Sequence, residues 1–359
     1  MPEAVSGRDP QSNRLSTPPR PTTLTLPLRG PSGEPVDFWC TVRSHGLATL
    51  PPSTLHIEAR RYRTVLTIPG IGPRATSIVA HLDHPDSAAV EVDGPAINAA
   101  DAQRVLAVVR RMLALDLDLA GFYRQCATDP DLAWVTRGAG RMMRSPSVFE
   151  DVVKTICTTN CAWSGTVRMT TALVRHLGEP QPLPGADPDD PHHHAFPTPA
   201  AMAAAPEAFY RETVRAGYRD RYLLALATRV ADGTLDLEAL GMASPEELPD
   251  DDLAEHLLAL PGVGPYAAAH VMLLLGRFSR LILDSWTRPT YARLVRDERD
   301  ERAMLVADSE IVARFSHYGR FAGLAFWLFI TREWHAPPEN GPAPSPITEP
   351  GASDASSTT

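Results

Sequence analysis

The chain has 359 residues, 43% hydrophobic and 21% charged, a balance ordinary for a soluble globular protein and sufficient for two compact domains. No run reaches the roughly eighteen apolar residues that cross a bilayer, and Met1 to Pro21 lacks the apolar centre of a secretory signal, so a cytoplasmic protein with no membrane partner is expected. Cys40, Cys126, Cys157 and Cys161 include no Cys-x-x-Cys pair and none follows Cys161, which excludes a zinc site and a C-terminal iron–sulfur loop.

Residues 1–21 read as a disordered tail. Beyond them Leu24, Leu26 and Leu28 alternate as a strand, and Asp37 is placed to cap a short helix of Phe38, Trp39 and Val42 that stops at Gly46. Further strands are predicted around residues 55–68, 76–83 and 88–93. The sequence IPGIG, Ile68 to Gly72, follows an extended run and precedes the alternating Ile78, Ala80 and Leu82, so it reads as a β-hairpin turn. Residues 22–97 are thus expected to form a small α+β domain. From Asn98 the period is helical: Leu106, Val109 and Leu113 on one helix, then Phe149, Val152, Val153, Ile156 and Cys157, then Leu223, Leu226 and Val230, then Phe321 to Phe329. Residues 98–335 therefore read as a mainly α core and 336–359 as a second tail. Lys154, the only lysine, lies off the Phe149 stripe and is expected to face solvent. His192 to His194, in a loop rich in Pro and Asp, are expected to be solvated rather than to bind a metal.

The segment from Leu260 to Arg293, LPGVGPYAAAHVMLLLGRFSRLILDSWTRPTYAR, is the most informative. Asp251 to Ala259 is predicted as a helix with Leu253 and Leu257 on one face. It ends where Pro261 cannot donate and Gly262 can take a positive φ. Pro265 suits the first position of a second helix, running to Gly276 with Val271, Leu274 and Leu275 at helical spacing. Across the bend Gly262, Val263 and Gly264, the glycine amides would point outward at the positive end of a helix dipole, where phosphate binds without a basic side chain. Such a bend is common by itself. Asp284, before Ser285 and Trp286, would by itself be an ordinary helix cap.

In register, Leu260 to Gly264, Tyr266 and Asp284 resemble the helix-hairpin-helix and catalytic-aspartate signature of the HhH-GPD superfamily of DNA base-excision glycosylases. SPSVFEDVVKTICTTN (Ser145 to Asn160) is similar to the first core helix of the 8-oxoguanine branch, GYRDRY (Gly217 to Tyr222) to its Gly-Tyr-Arg helix start, and YGRFAGLAFWL (Tyr318 to Leu328) to its closing helix. This resemblance implies a mainly α fold of two helical lobes with the active cleft between them. It also implies a preceding small antiparallel-sheet domain like that of the alkylbase (3-methyladenine) and 8-oxoguanine branches. The partner implied is double-stranded DNA containing a damaged base, whose nucleotide is flipped out to reach the site. No cofactor is expected, save that the resemblance allows a monovalent cation at the hairpin carbonyls; a monomer associated with the nucleoid is expected.

Cleaving an N-glycosidic bond builds positive charge on the sugar, so a carboxylate in a water-poor site, here Asp284, would stabilise it and orient an attacking water. Bifunctional relatives carry a lysine at the place of Tyr266, so efficient lyase chemistry is not expected. An aromatic there resembles the alkylated-base glycosylases, and a pocket of Tyr266, Phe326, Trp286 and Tyr218 would hold a damaged purine by stacking. Phe326 and His270 stand where the 8-oxoguanine branch has glutamine and cysteine; the alternatives are core packing for Phe326 and a satisfied buried histidine for His270. Asn160 matches the residue that the branch inserts into the gap left by the flipped nucleotide, or it is a helix C-cap. Arg219 and Arg221 would meet phosphate or merely cover a helix.

The formal charge of −9 is unusual for a DNA-binding protein. Met1 to Pro21 carries +1, Gly178 to Pro197 −4 and Ala336 to Thr359 −3, which leaves −3 on the remainder. Arginine makes up all the basic residues except Lys154, and its planar fork suits phosphate. The sequence thus points to a monofunctional DNA glycosylase for a damaged base, an alkylated purine first. An oxidised-base glycosylase and a non-catalytic binder of damaged DNA are the alternatives.

Overall fold

A computed structural model describes residues 21–81, 83–182, 187–295 and 306–335. Strands β1 (Thr22–Pro27), β2 (Thr54–His56), β3 (Arg61–Ile68), β4 (Gly72–Ala80) and β5 (Ser87–Val92) form one antiparallel sheet in the order β1-β5-β4-β3-β2. Ile68 pairs with Gly72 across the expected hairpin, where Gly70 and Gly72 take φ of 83° and 85°. Leu82 lies outside the described residues. Asp37 caps helix α1 (Phe38–Val42), its carboxylate accepting from the Cys40 amide at 2.9 Å. Helix α2 (Ala99–Met112) lays Val105, Val109 and Met112 against Leu26, Ile78 and Val90, so the core that covers the sheet runs on past residue 97 into this helix.

The remaining helices are α3 (Ala120–Cys126), α4 (Val148–Thr158), α5 (Trp163–Leu177), α6 (Pro199–Ala204), α7 (Asp220–Ala231), α8 (Leu237–Met242), α9 (Asp250–Leu258), α10 (Pro265–Leu275), α11 (Thr287–Val295), α12 (Asp308–Phe315) and α13 (Ala322–His335). They build two lobes. One core gathers side chains of α4 to α10, among them Val153, Leu173, Leu226 and Leu257. The other gathers α3 and α11 to α13, among them Phe122, Tyr291, Phe315 and Phe329. Helix α10 belongs to both: Ala269, Leu273 and Leu274 face one core, Ala268, Val271 and Met272 the other. This is why the helix is apolar all round, as a helix buried on every side must be. The fold is mainly α, with two helical lobes and a small antiparallel sheet near the N-terminus. No described helix is long and apolar enough to cross a membrane.

Two expectations fail here. Lys154 is buried, because α4 is enclosed from Val148 to Cys157 and has no solvent face. Its ammonium lies 2.6 Å from Glu150, one turn away, and donates to the Leu50 carbonyl at 3.4 Å, so the interior accepts the charge as a pair. His194 is buried too, its ring nitrogens 3.1 Å from the Gly178 carbonyl and 2.8 Å from that of Pro188, while His192 and His193 stay partly exposed. These contacts fasten the loop to the end of α5. No cluster of three or more His, Cys, Asp or Glu side chains that could hold a metal occurs among the described residues.

Candidate active site

Helices α9 and α10 meet at the predicted bend. Gly262 takes φ 78°, and a Cβ there would stand 2.9 Å from Cβ of Tyr222, so both the backbone sign and the packing demand glycine. Gly264 is the N-cap of α10 and supplies no side chain, with Pro265 next at the first helical position. The Val263 amide is consumed within the bend by the Leu260 carbonyl at 3.2 Å, and Val263 buries its side chain in the lobe. The amides of Gly262 and Gly264 have no acceptor among the described residues. The bend therefore offers two unshielded donors at the positive end of a buried helix.

Asp284 starts α11. Its Oδ1 accepts from the amides of Trp286 at 2.8 Å and Thr287 at 2.7 Å, and its own amide donates to Thr287 Oγ1 at 2.8 Å. One carboxylate oxygen thus caps a helix and fixes the side chain, while Oδ2 has no partner among the described residues. The helix-cap and active-site alternatives left open by the sequence are compatible in one residue. Asp284 and the bend line the same cleft of about 1090 Å³, with one wall from each lobe. Thr158 to Cys161, Tyr218, Tyr222 and Leu260 to Ala267 come from one side. Ile282 to Trp286, Trp327 and Trp334 come from the other, with His45 and Gly46 beside them.

Tyr266 stands in this cleft, its hydroxyl 3.4 Å from Thr158 Oγ1. Burial pushes its phenol above the ordinary value and the nearby Asp284 charge adds to this, while Thr158 works in the opposite sense, so Tyr266 is a neutral aromatic surface. Trp286 lies at ring-centroid distances of 6.0 Å from Trp327 and 5.4 Å from Trp334, and the three make an aromatic wall. His270 sits at the base of the cleft, 5.9 Å from Tyr266 and 6.2 Å from Trp327 between ring centroids.

Three of the solved structures that match most of the chain show what it resembles. They are a 3-methyladenine DNA-glycosylase from Archaeoglobus fulgidus (20% identity, 86% of this chain and 97% of that one, TM-score 0.63), MBOgg1 in complex with a low-affinity DNA ligand (18%, 88% and 97%, TM-score 0.63), and apo Clostridium acetobutylicum 8-oxoguanine glycosylase/lyase (18%, 87% and 99%, TM-score 0.62). The chain shares the fold of these three proteins. At the level of sequence, no family model and no curated protein matches it.

Within this shared fold, several residues stand elsewhere than the sequence suggested. Phe326 is wholly buried between Tyr291 and Phe315 in a lobe core and is not among the cleft residues. Helix α13 is enclosed from Ala322 to Thr331, and it is the next residue, Trp327, that looks into the cleft. Arg219 is buried and not free to reach phosphate: its guanidinium donates to the backbone carbonyls of Thr159 and Ala216 and to Thr159 Oγ1, pinning the end of α4 to the start of α7. Arg221 is exposed, 5.2 Å over the Tyr222 ring. Asn160 follows the C-cap of α4 in the left-handed region (φ 45°) and donates to the Tyr218 hydroxyl at 3.2 Å, at the exposed lip of the cleft. His45, Trp163, Trp327 and Trp334 line the cleft without having been singled out by the sequence. His45 lies far from any motif, and only long-range packing brings it here, whereas Trp163 follows the Ser145 to Asn160 segment by three residues.

Proposed function

We propose that this protein is a DNA glycosylase that extrudes a damaged base and hydrolyses its N-glycosidic bond, acting first on alkylated purines and leaving an abasic site. The observation that carries this reading is the meeting, in one cleft, of a helix-hairpin-helix bend with two free amides, a carboxylate fixed through one oxygen only, and an aromatic wall. In this reading the Gly262 and Gly264 amides take a phosphate of the lesion strand, and exposed Arg221 adds charge outside the cleft. Asn160, on its left-handed turn, enters the space left by the extruded nucleotide. The base stacks among Tyr266, Trp286 and Trp327, and Asp284 Oδ2 faces the cationic sugar and orients the water. The carbonyls of Pro261 and Val263, which accept no hydrogen bond among the described residues, would hold a monovalent cation that steadies the phosphate.

Base loss without strand cleavage belongs to the same proposal. Schiff-base chemistry needs an amine in the cleft, and Lys154, the chain's one lysine, is tied to Glu150 outside it. The working unit proposed is a monomer on double-stranded DNA, in the cytoplasm with the nucleoid. The test is a panel of duplexes each holding one defined lesion, scored before and after alkali. Alkali-dependent breaks at an alkylated purine are expected; breaks without alkali contradict the hydrolytic mechanism, and no breaks on any lesion contradict the enzyme.

A further inference from the structure

The base of the cleft holds polar atoms that the chemistry above leaves unused. His270 and His45 are 3% and 2% exposed, both line the cleft, and their rings meet edge to face with centroids 5.9 Å apart. Neither ring nitrogen of His270, nor Nδ1 of His45, nor the indole nitrogen of Trp163 finds a partner among the described residues. Trp163 borders the same spot, since its ring lies 3.0 Å from where a Cβ on Gly46, the neighbour of His45, would stand. Each buried polar atom left unmatched costs about 1–3 kcal/mol, so four at one cleft describe a surface complementary to something polar.

The polarity of that surface follows from the contacts. His45 Nε2 is 2.7 Å from the Met143 carbonyl, which can only accept, so Nε2 carries the proton. Burial lowers His45 to about 4 and His270 to about 3, so both rings are neutral at physiological pH. His45 Nδ1 is therefore a bare acceptor, His270 offers one donor and one acceptor, and Trp163 can only donate. A neutral pair also tolerates a cationic purine, which an imidazolium would repel.

We propose that the His45–His270 pair reads the edge of the extruded base and selects alkylated purines that keep an exocyclic amine. The amine donates to His45 Nδ1, and a neighbouring ring nitrogen or oxygen accepts from His270 or Trp163. This rests on the base-excision reading and adds hydrogen-bond selection to stacking. A site built to bond a substrate N–H rejects the analogue lacking it far more strongly than an apolar pocket does.

The experiment compares single-turnover release of 3-methyladenine, whose amine is intact, with that of 1,N6-ethenoadenine, whose amine is closed into a ring. Wild-type protein, His45→Phe and His270→Phe are measured on duplex DNA. Phenylalanine keeps an aromatic face and removes the nitrogens. Comparing each base with itself across the variants cancels the different lability of the two bases. The expected result is a loss on 3-methyladenine at least tenfold greater than the loss on ethenoadenine. Equal losses, or none, overturn the selection while base excision stands. Release of neither base by the wild type overturns excision of alkylated purines and the selection with it. Where a variant does not fold or a rate is too slow to follow, inhibition of the wild-type protein decides: free 3-methyladenine should inhibit at least tenfold better than 3-methylpurine, and equal inhibition overturns the proposal.

Discussion

Replacing Gly262 by alanine puts a side chain into the bend that aims the two free amides. The φ of 78° costs an L-residue about 1–2 kcal/mol. The new methyl would also stand 2.9 Å from Tyr222 Cβ and 3.0 Å from Cγ, stiff near-backbone atoms, so either the bend or α7 must shift. A further ~1 kcal/mol for that overpacking brings the total to about 2–3 kcal/mol. At roughly 2 °C per kcal/mol for a protein of this size, the melting temperature should fall by about 4–6 °C. Gly264→Ala is the matched control. Its φ of −98° is open to any residue and a Cβ there meets nothing within 4 Å, so its melting temperature should stay within about 1 °C of wild type. The added methyl nevertheless stands beside an amide proposed to hold phosphate, and duplex affinity should weaken about tenfold, the loss of one hydrogen bond to a charged group. Differential scanning calorimetry and fluorescence-anisotropy titrations at fixed salt give both numbers. Equal melting temperatures for the two variants would refute the argument about the bend.

The buried histidines predict a pH response. His45, His270 and His335 are lowered by burial to about 4, 3 and 4, whereas the unfolded chain protonates them near 6.5, so below that pH the unfolded state binds more protons than the folded one. Their contribution to stability is complete above about pH 6.5 and is lost progressively down to about pH 3, the lowest of the three folded-state values. A melting temperature that does not fall between pH 6.5 and 4.5, or a fall of the same size in His45→Phe, contradicts this. Lys154→Met should cost about 3–5 kcal/mol, because it strands Glu150 in the interior, and Glu150→Gln combined with it should recover much of that in urea titrations. Two neighbouring arginines should separate cleanly: Arg219→Ala lowers the melting temperature by unfastening Thr159, while Arg221→Ala leaves it unchanged and reduces the salt dependence of DNA binding by about one ion. A salt slope that is the same in Arg221→Ala as in wild type removes Arg221 from the DNA surface.

What the sequence could reveal depended on whether the signal was local. The α9–α10 bend, the strand alternation around Ile68 to Gly72 and the capping of α1 by Asp37 are set by residues within a turn of one another, and each stands where the pattern put it. Asp284 was legible because its distance from the bend is fixed by one helix and a short crossing. Lys154 and Phe326 were misplaced for one shared reason. Over Val148 to Cys157 and Ala322 to Thr331, helices α4 and α13 are buried on all faces, so an apolar stripe marks no outside, and nothing in the spacing says which side chain meets the cleft. Arg219 resisted for another reason: its partners are backbone carbonyls, which no residue pattern announces. His45 enters the cleft only through packing between segments more than a hundred residues apart.

The most direct test of the central claim is base release by Asp284→Asn under single-turnover conditions, with duplex binding measured alongside. Asparagine keeps an oxygen for the Trp286 and Thr287 amides, so the cap and the fold survive, and only the negative charge facing the cleft is removed. The account predicts a fall in release of about 10²–10³ or more, the scale of one transition-state electrostatic contact, with duplex affinity within a few-fold of wild type. Release at the wild-type rate would contradict it.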